Sequence, residues 1–145
     1  MSDKTFDVFL SYAHKDAAVA RTLASELKEQ GVSVWLDQDS LRPGDDWDLK
    51  IHEHLQQSSN VVMLVSVNSL TSQSTLYEMG VAMQHARQNP DVRIFPVLIG
   101  GVENSALPGP LRLLNAIESS PNHLEAASTE IAQIVTDAKR SHNEG

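Results

Sequence analysis

Phe6-Asp7-Val8-Phe9-Leu10-Ser11-Tyr12, running on into Ala13-His14-Lys15-Asp16, decides the architecture of this chain. The first six residues are almost continuously apolar, the pattern of a strand covered on both faces. The run ends in two hydroxyl-bearing residues and a charged turn. From Asp16 the apolar residues recur as Val19, Ala20, Leu23, Ala24 and Leu27, one face of a helix. Polar groups therefore stand at the carboxyl end of a first buried strand, which is where an open α/β sheet binds its ligands.

The same alternation continues along the chain. Gly31 follows the first helix at the position of a left-handed cap, and residues 32–36 read as a second strand rich in β-branched and aromatic side chains. Asp37 to Asp46 is an acidic turn segment in which Pro43-Gly44 precedes two acids, as before a helix N-cap. Trp47, Ile51 and Leu55 then repeat every four residues. Residues 60–67 form a third strand around Val61-Val62-Met63-Leu64-Val65, and residues 68–73 a Ser/Thr/Asn-rich loop. Leu76, Met79, Met83 and Ala86 mark the next helix. Residues 93–99 form a fourth strand interrupted by Pro96, which removes a ladder donor and predicts a bulge or a place near an edge. Residues 116–119 form a brief fifth strand, and a last amphipathic helix starts at Pro121. Strands separated by single helices imply a parallel sheet. The expected fold is α/β, a flavodoxin-like three-layer sandwich with a parallel five-stranded sheet and helices on both faces. Residues 1–140 form a single domain, and 141–145 a polar, frayed tail.

Bulk properties narrow the function. The chain has 145 residues, 41% hydrophobic and 21% charged, as an ordinary globular domain does. Without cysteine it has neither disulfides nor a thiolate metal site. Its apolar runs fall far short of the ~20 residues a membrane helix needs, and no signal-peptide pattern opens it. A cytoplasmic location and no membrane partner are expected. The net charge of −8 repels phosphate backbones, so no nucleic-acid partner is expected either.

Several chemistries lack their residues. A phospho-accepting receiver domain needs an acid at the end of strand three, and here that strand ends Leu64-Val65-Ser66-Val67. Neither common phosphate-cradling glycine loop is present; Gly100-Gly101 lacks the remainder of both. His52 and His54 are two apart and point to different helix faces. His14, His85, His123 and His142 have no ligand spacing, so no metal is expected. One carboxylate stands out. Glu78 lies early in the helix after strand three, near the Ser11-Tyr12 end of strand one. The helix macrodipole alone favours an acid there.

Ordered blocks of the chain resemble the Toll/interleukin-1 receptor (TIR) family. Phe6 to Tyr12 is similar to its first box, and Leu41-Arg42-Pro43-Gly44-Asp45-Asp46-Trp47 to its BB loop and the helix that follows. Ser72 to Glu78 resembles its αC region, with Ser74 and Thr75 in place of the usual tryptophan and cysteine, and Ile94-Phe95-Pro96-Val97 resembles its fourth strand. The resemblance spans about residues 5–135. It implies a TIR fold of the bacterial stand-alone type, and an NAD+ nucleosidase or ADP-ribosyl cyclase with Glu78 as the catalytic carboxylate. It also implies substrate contacts from Ser11, Tyr12, Ala13, His14, Asp37, Ser66, Ser72 and Tyr77. Trp47 either stacks on an aromatic ring or anchors the core in line with Ile51 and Leu55. No cofactor is implied, because NAD+ is the substrate.

One carboxylate suffices for such a reaction. Ordinary glycosidases use a second to protonate the leaving oxygen, whereas nicotinamide starts cationic and departs neutral. Leu41, Arg42, Pro43, Gly44, Asp45 and Asp46 are implied to mediate self-association, and head-to-tail contact of that kind builds filaments. A diffusible cyclic ADP-ribose-type product reaching a separate effector, as in Thoeris anti-phage defence, is the arrangement this resembles. The alternatives are a non-catalytic TIR–TIR interaction module, acting as an adaptor or a host-signalling mimic, and a nucleoside-transferring enzyme of similar fold.

Overall fold

Asp7 explains how an acid fits inside an otherwise apolar strand. The Ser33 N–H donates to Asp7 Oδ2 at 3.0 Å, and the Asp7 N–H donates back to Ser33 Oγ at 2.9 Å. From the next strand but one, Asn60 Nδ2 donates to the Asp7 carbonyl at 2.9 Å. The carboxylate thus fixes the first two parallel strands in register at their amino ends. In the computed structural model, which describes residues 6–36, 56, 58–71, 73–89, 92–103, 105, 107, 116–119 and 124–144, these strands are β1 (Phe6–Ser11) and β2 (Val34–Leu36). The other strands are β3 (Ser58–Val65), β4 (Arg93–Ile99) and β5 (Ile117–Ser119). The helices are α1 (Ala17–Glu29), α2 (Val67–Leu70), α3 (Gln73–Gln88) and α4 (Glu125–Glu144).

All four described pairings are parallel, in the order β2-β1-β3-β4-β5. The predicted α/β class and five-stranded parallel sheet are therefore the observed ones, with helices on both faces. Period-two alternation divides the core. Val8 and Leu10 of β1, Tyr12 just after it, and Val62 and Leu64 of β3 join Leu23 and Leu27 of α1 and Ile131 and Val135 of α4. Phe9, Val61, Met63 and Val65 point the other way, to Met79 and Ala82 of α3. On that second face the rings of Phe9 and Trp35 meet at right angles, with a centroid distance of 5.3 Å and an interplanar angle of 89°, a favoured aromatic geometry.

The first helix ends as its glycine predicts. Gly31 adopts φ +86°. Its N–H donates to the Lys28 carbonyl at 3.0 Å, and the Val32 N–H to the Leu27 carbonyl at 3.0 Å. Those paired bonds form a Schellman motif, and its apolar pair, Val32 and Leu27, is buried in the same cluster.

Boundaries differ elsewhere for local reasons. The first helix is preceded by a 3₁₀ turn over His14–Asp16, so α1 proper begins at Ala17. The segment read as a loop over 68–73 contains α2, because Ser66 and Ser69 cap each other reciprocally. β4 is continuous through Pro96, without the interruption read from the sequence. Pro96 pairs in register with Met63, and β5 joins only from Val97 onward, which leaves the proline next to the edge of the sheet. α4 runs through Glu144, past Ser141 where a frayed tail was expected to start.

Candidate active site

In the order 2-1-3-4-5, the chain leaves β1 toward one face of the sheet and β3 toward the other, and the crevice between their carboxyl ends is the topological switch point. The turn after β1 supplies one wall. Ser11 is buried, pairs with Met63 of β3, and by alternation lies on the α3 side of the sheet with Phe9. Ala13 is buried and extended, at φ −76° and ψ 148°, and its carbonyl accepts from the Asp16 N–H at 2.8 Å. His14 is exposed at the start of the 3₁₀ turn.

The other wall is the start of α3. Glu78 lies in its second turn, next to buried Met79 and one turn before buried Ala82. At 100° per residue, position 78 shares a helix flank with buried His85, seven residues on. The opposite flank carries Met83 and Arg87, which line a groove with β4 and β5. Position 78 is therefore on the flank of α3 opposite the residues that line that groove. Tyr77 is 46% exposed, and Val67, at the start of α2, is 68% exposed, so the rim of this edge is apolar as well as polar.

Two expected substrate contacts take other places. Tyr12 is 1% exposed and belongs to the α1/α4 core cluster, so its ring supports the site from beneath. The Ser66 hydroxyl donates to Asp16 Oδ2 at 2.5 Å and accepts from the Ser69 N–H at 3.2 Å. Its one proton is thereby committed within the protein. Asp37, Leu41, Arg42, Pro43, Gly44, Asp45, Asp46, Trp47 and Ser72 lie outside the described residues. Ser11, Ala13, His14 and the helix position of Glu78 are brought to one edge of the sheet.

Sequence reading passed over Asp16, Asn68 and Ser69. Asp16 is 8% exposed, and its second oxygen, Oδ1, accepts from Asn68 Nδ2 at 2.9 Å. Ser69 is fully buried; its hydroxyl donates to the Ser66 carbonyl at 2.9 Å and accepts from the Ser66 N–H at 2.8 Å. Asp16 and Ser66 are 50 residues apart in the chain. No local pattern could have paired them.

Residues 8–135 match the family model for the TIR domain. The chain belongs to the TIR domain family. This TIR domain is 32% identical over 114 residues to a stimulator of interferon genes protein of Magallana gigas, covering 78% of the chain and 28% of that protein. It is 26% identical over 137 residues to the 2′ cyclic ADP-D-ribose synthase AbTIR of Acinetobacter baumannii, covering 92% of the chain and 51% of the synthase. Among solved structures, a metazoan TIR-STING receptor from C. gigas in complex with 2′,3′-cGAMP superposes with a TM-score of 0.79 at 28% identity. That match covers 93% of the TIR domain and 40% of the receptor chain. The chain thus spans about half or less of the relatives it matches. None of the described helices is long and apolar enough to cross a membrane.

Proposed function

We propose that this TIR domain cleaves the bond between nicotinamide N1 and ribose C1′ of NAD+, with Glu78 as the catalytic carboxylate. The observation that supports the reading is the position of Glu78 in the second turn of α3, the helix that follows β3, the strand paired with β1 in the sheet order 2-1-3-4-5. The similarity to a cyclic ADP-ribose synthase supports the same chemistry.

The bonding pair of the C1′–N1 bond leaves with nicotinamide, which goes from cation to neutral molecule. Positive charge develops on the ribosyl C1′ and ring oxygen. An ionised carboxylate beside that centre stabilises it, and can also hold a ribose hydroxyl. The cation is then captured in one of two ways. Water adds its oxygen and releases a proton, giving ADP-ribose, or the adenosine half adds instead, giving a cyclic product, either through a hydroxyl that releases its proton or through a ring nitrogen with the proton lost from the exocyclic amine. Exclusion of water from the crevice sets the ratio. Ala13 and His14 form the wall facing α3, and Ser11 lies beneath them.

Self-association through Leu41, Arg42, Pro43, Gly44, Asp45 and Asp46 belongs to this reading. A groove of about 710 Å³ toward the amino ends of β4 and β5 is lined by Met83, Arg87, Arg93, Phe95, Glu130 and Ile134. Its apolar wall suits Leu41 and Pro43 of a second copy, and its two arginines complement Asp45 and Asp46. A cyclic product that diffuses to a separate effector in anti-phage defence extends the same proposal.

The test is mass spectrometry of NAD+ incubated with the protein and, in parallel, with Glu78→Gln. Nicotinamide release should fall by about 100- to 1,000-fold in the variant, the scale of losing one transition-state charge partner. A second reading, a non-catalytic module that docks other TIR domains, draws on the similarity to a TIR-STING receptor. Under that reading NAD+ stays intact while partner binding persists.

A further inference from the structure

Asp16 stands at the N-cap position of α1, yet its side chain makes no cap hydrogen bond there. An aspartate at that position ordinarily accepts from the first-turn N–H groups of its own helix. Here both carboxylate oxygens reach across the crevice instead, Oδ2 to the Ser66 hydroxyl and Oδ1 to the Asn68 amide. Ser66 in turn is the N-cap of α2, closed reciprocally with Ser69. A buried carboxylate is costly unless every such contact is made, and this one has charge-assisted partners on both oxygens.

We infer that Asp16 is a positioning residue that fixes the two walls of the NAD+-cleaving site relative to each other. The β1–α1 turn goes to one sheet face and the β3–α2 turn to the other, so they diverge at the switch point. Asp16 is the tie across that divergence. On one side it holds the turn carrying Ala13 and His14. On the other it holds the capped start of α2, which leads within three residues to α3 and so to Glu78. The inference rests on the proposed role of Glu78, but the tie itself is independent of it. It also gives Ser66 a function other than ligand contact, because its proton points at Asp16.

The experiment compares wild type, Asp16→Ala, Asp16→Asn and Asn68→Ala by NAD+ cleavage kinetics and by amide hydrogen exchange. Asp16→Asn keeps the acceptor for Ser66, and an amide turn at Asn68 restores the second bond, so its kcat should stay within about threefold of wild type. Asp16→Ala should lose roughly 10- to 100-fold in kcat with a smaller change in KM, the cost of misplaced catalytic groups. Asn68→Ala should fall between them, and serves if Asp16→Ala does not fold. Hydrogen exchange should rise in α2 and the first turns of α3 in Asp16→Ala, with α4 unchanged. Unaltered exchange there overturns the tie, whether or not wild type cleaves NAD+. Faster exchange with an unchanged kcat overturns the positioning role. If wild type releases no nicotinamide, the proposed function fails by itself, and exchange still decides the tie.

Discussion

Three acids occupy three different settings here: Asp7 in a strand, Asp16 in a turn and Glu78 in a helix. Asp7 locks strand register through Ser33 and Asn60. Asp16 ties two turns together through Ser66 and Asn68. Glu78, the residue whose position pointed to chemistry, lies where the spacing of Leu76, Met79 and Met83 put it, at the border of the core face of α3. The helical period fixes such a position because it needs only neighbours in sequence. The family resemblance implied substrate contacts from Tyr12 and Ser66, the residues just past β1 and β3. Their true surroundings depend on which sheet face each residue meets and on a partner 50 positions away.

The secondary-structure elements show the same limit. Gly31 announced its helix end because a left-handed cap is a local event. At φ +86°, with open space around the missing Cβ, Gly31→Ala meets only the conformational penalty. It should cost about 1 kcal/mol in urea unfolding, and no loss would mean that the cap relaxes at no cost. The helix α2 escaped notice because its cap pairs two serines, whereas the recognisable box carries Glu or Gln three residues after the cap. Pro96 was read as a bulge or a place near an edge, and it is the second: the strand continues because β5 begins to pair only at Val97. How β4 is flanked is a property of the sheet, beyond the reach of a single strand's sequence.

Among the described residues, the molecule is a parallel sheet with an apolar cluster on each face, and α3 packs in the cluster opposite α1 and α4. Ile131 is fully buried on the α1/α4 face. Ile131→Ala should lower stability by about 2–5 kcal/mol, yet leave the cleavage rate per folded molecule unchanged. A rate that falls in proportion would mean that the far cluster shapes the site. Charge acts on assembly. With a net charge of −8, copies repel one another at long range, whereas Arg87 and Arg93 bring two positive charges to the β4–β5 groove. Arg87→Glu together with Arg93→Glu should abolish concentration-dependent association in sedimentation, and added salt should weaken association in wild type. Association that survives the double variant would move the contact to another surface. The central claim is that Glu78 breaks the glycosidic bond. The most direct measurement is nicotinamide release from NAD+ by concentrated protein, wild type against Glu78→Gln, with urea unfolding of both in parallel. Release by wild type that disappears in an equally stable variant is the predicted result, and equal release by both would contradict it.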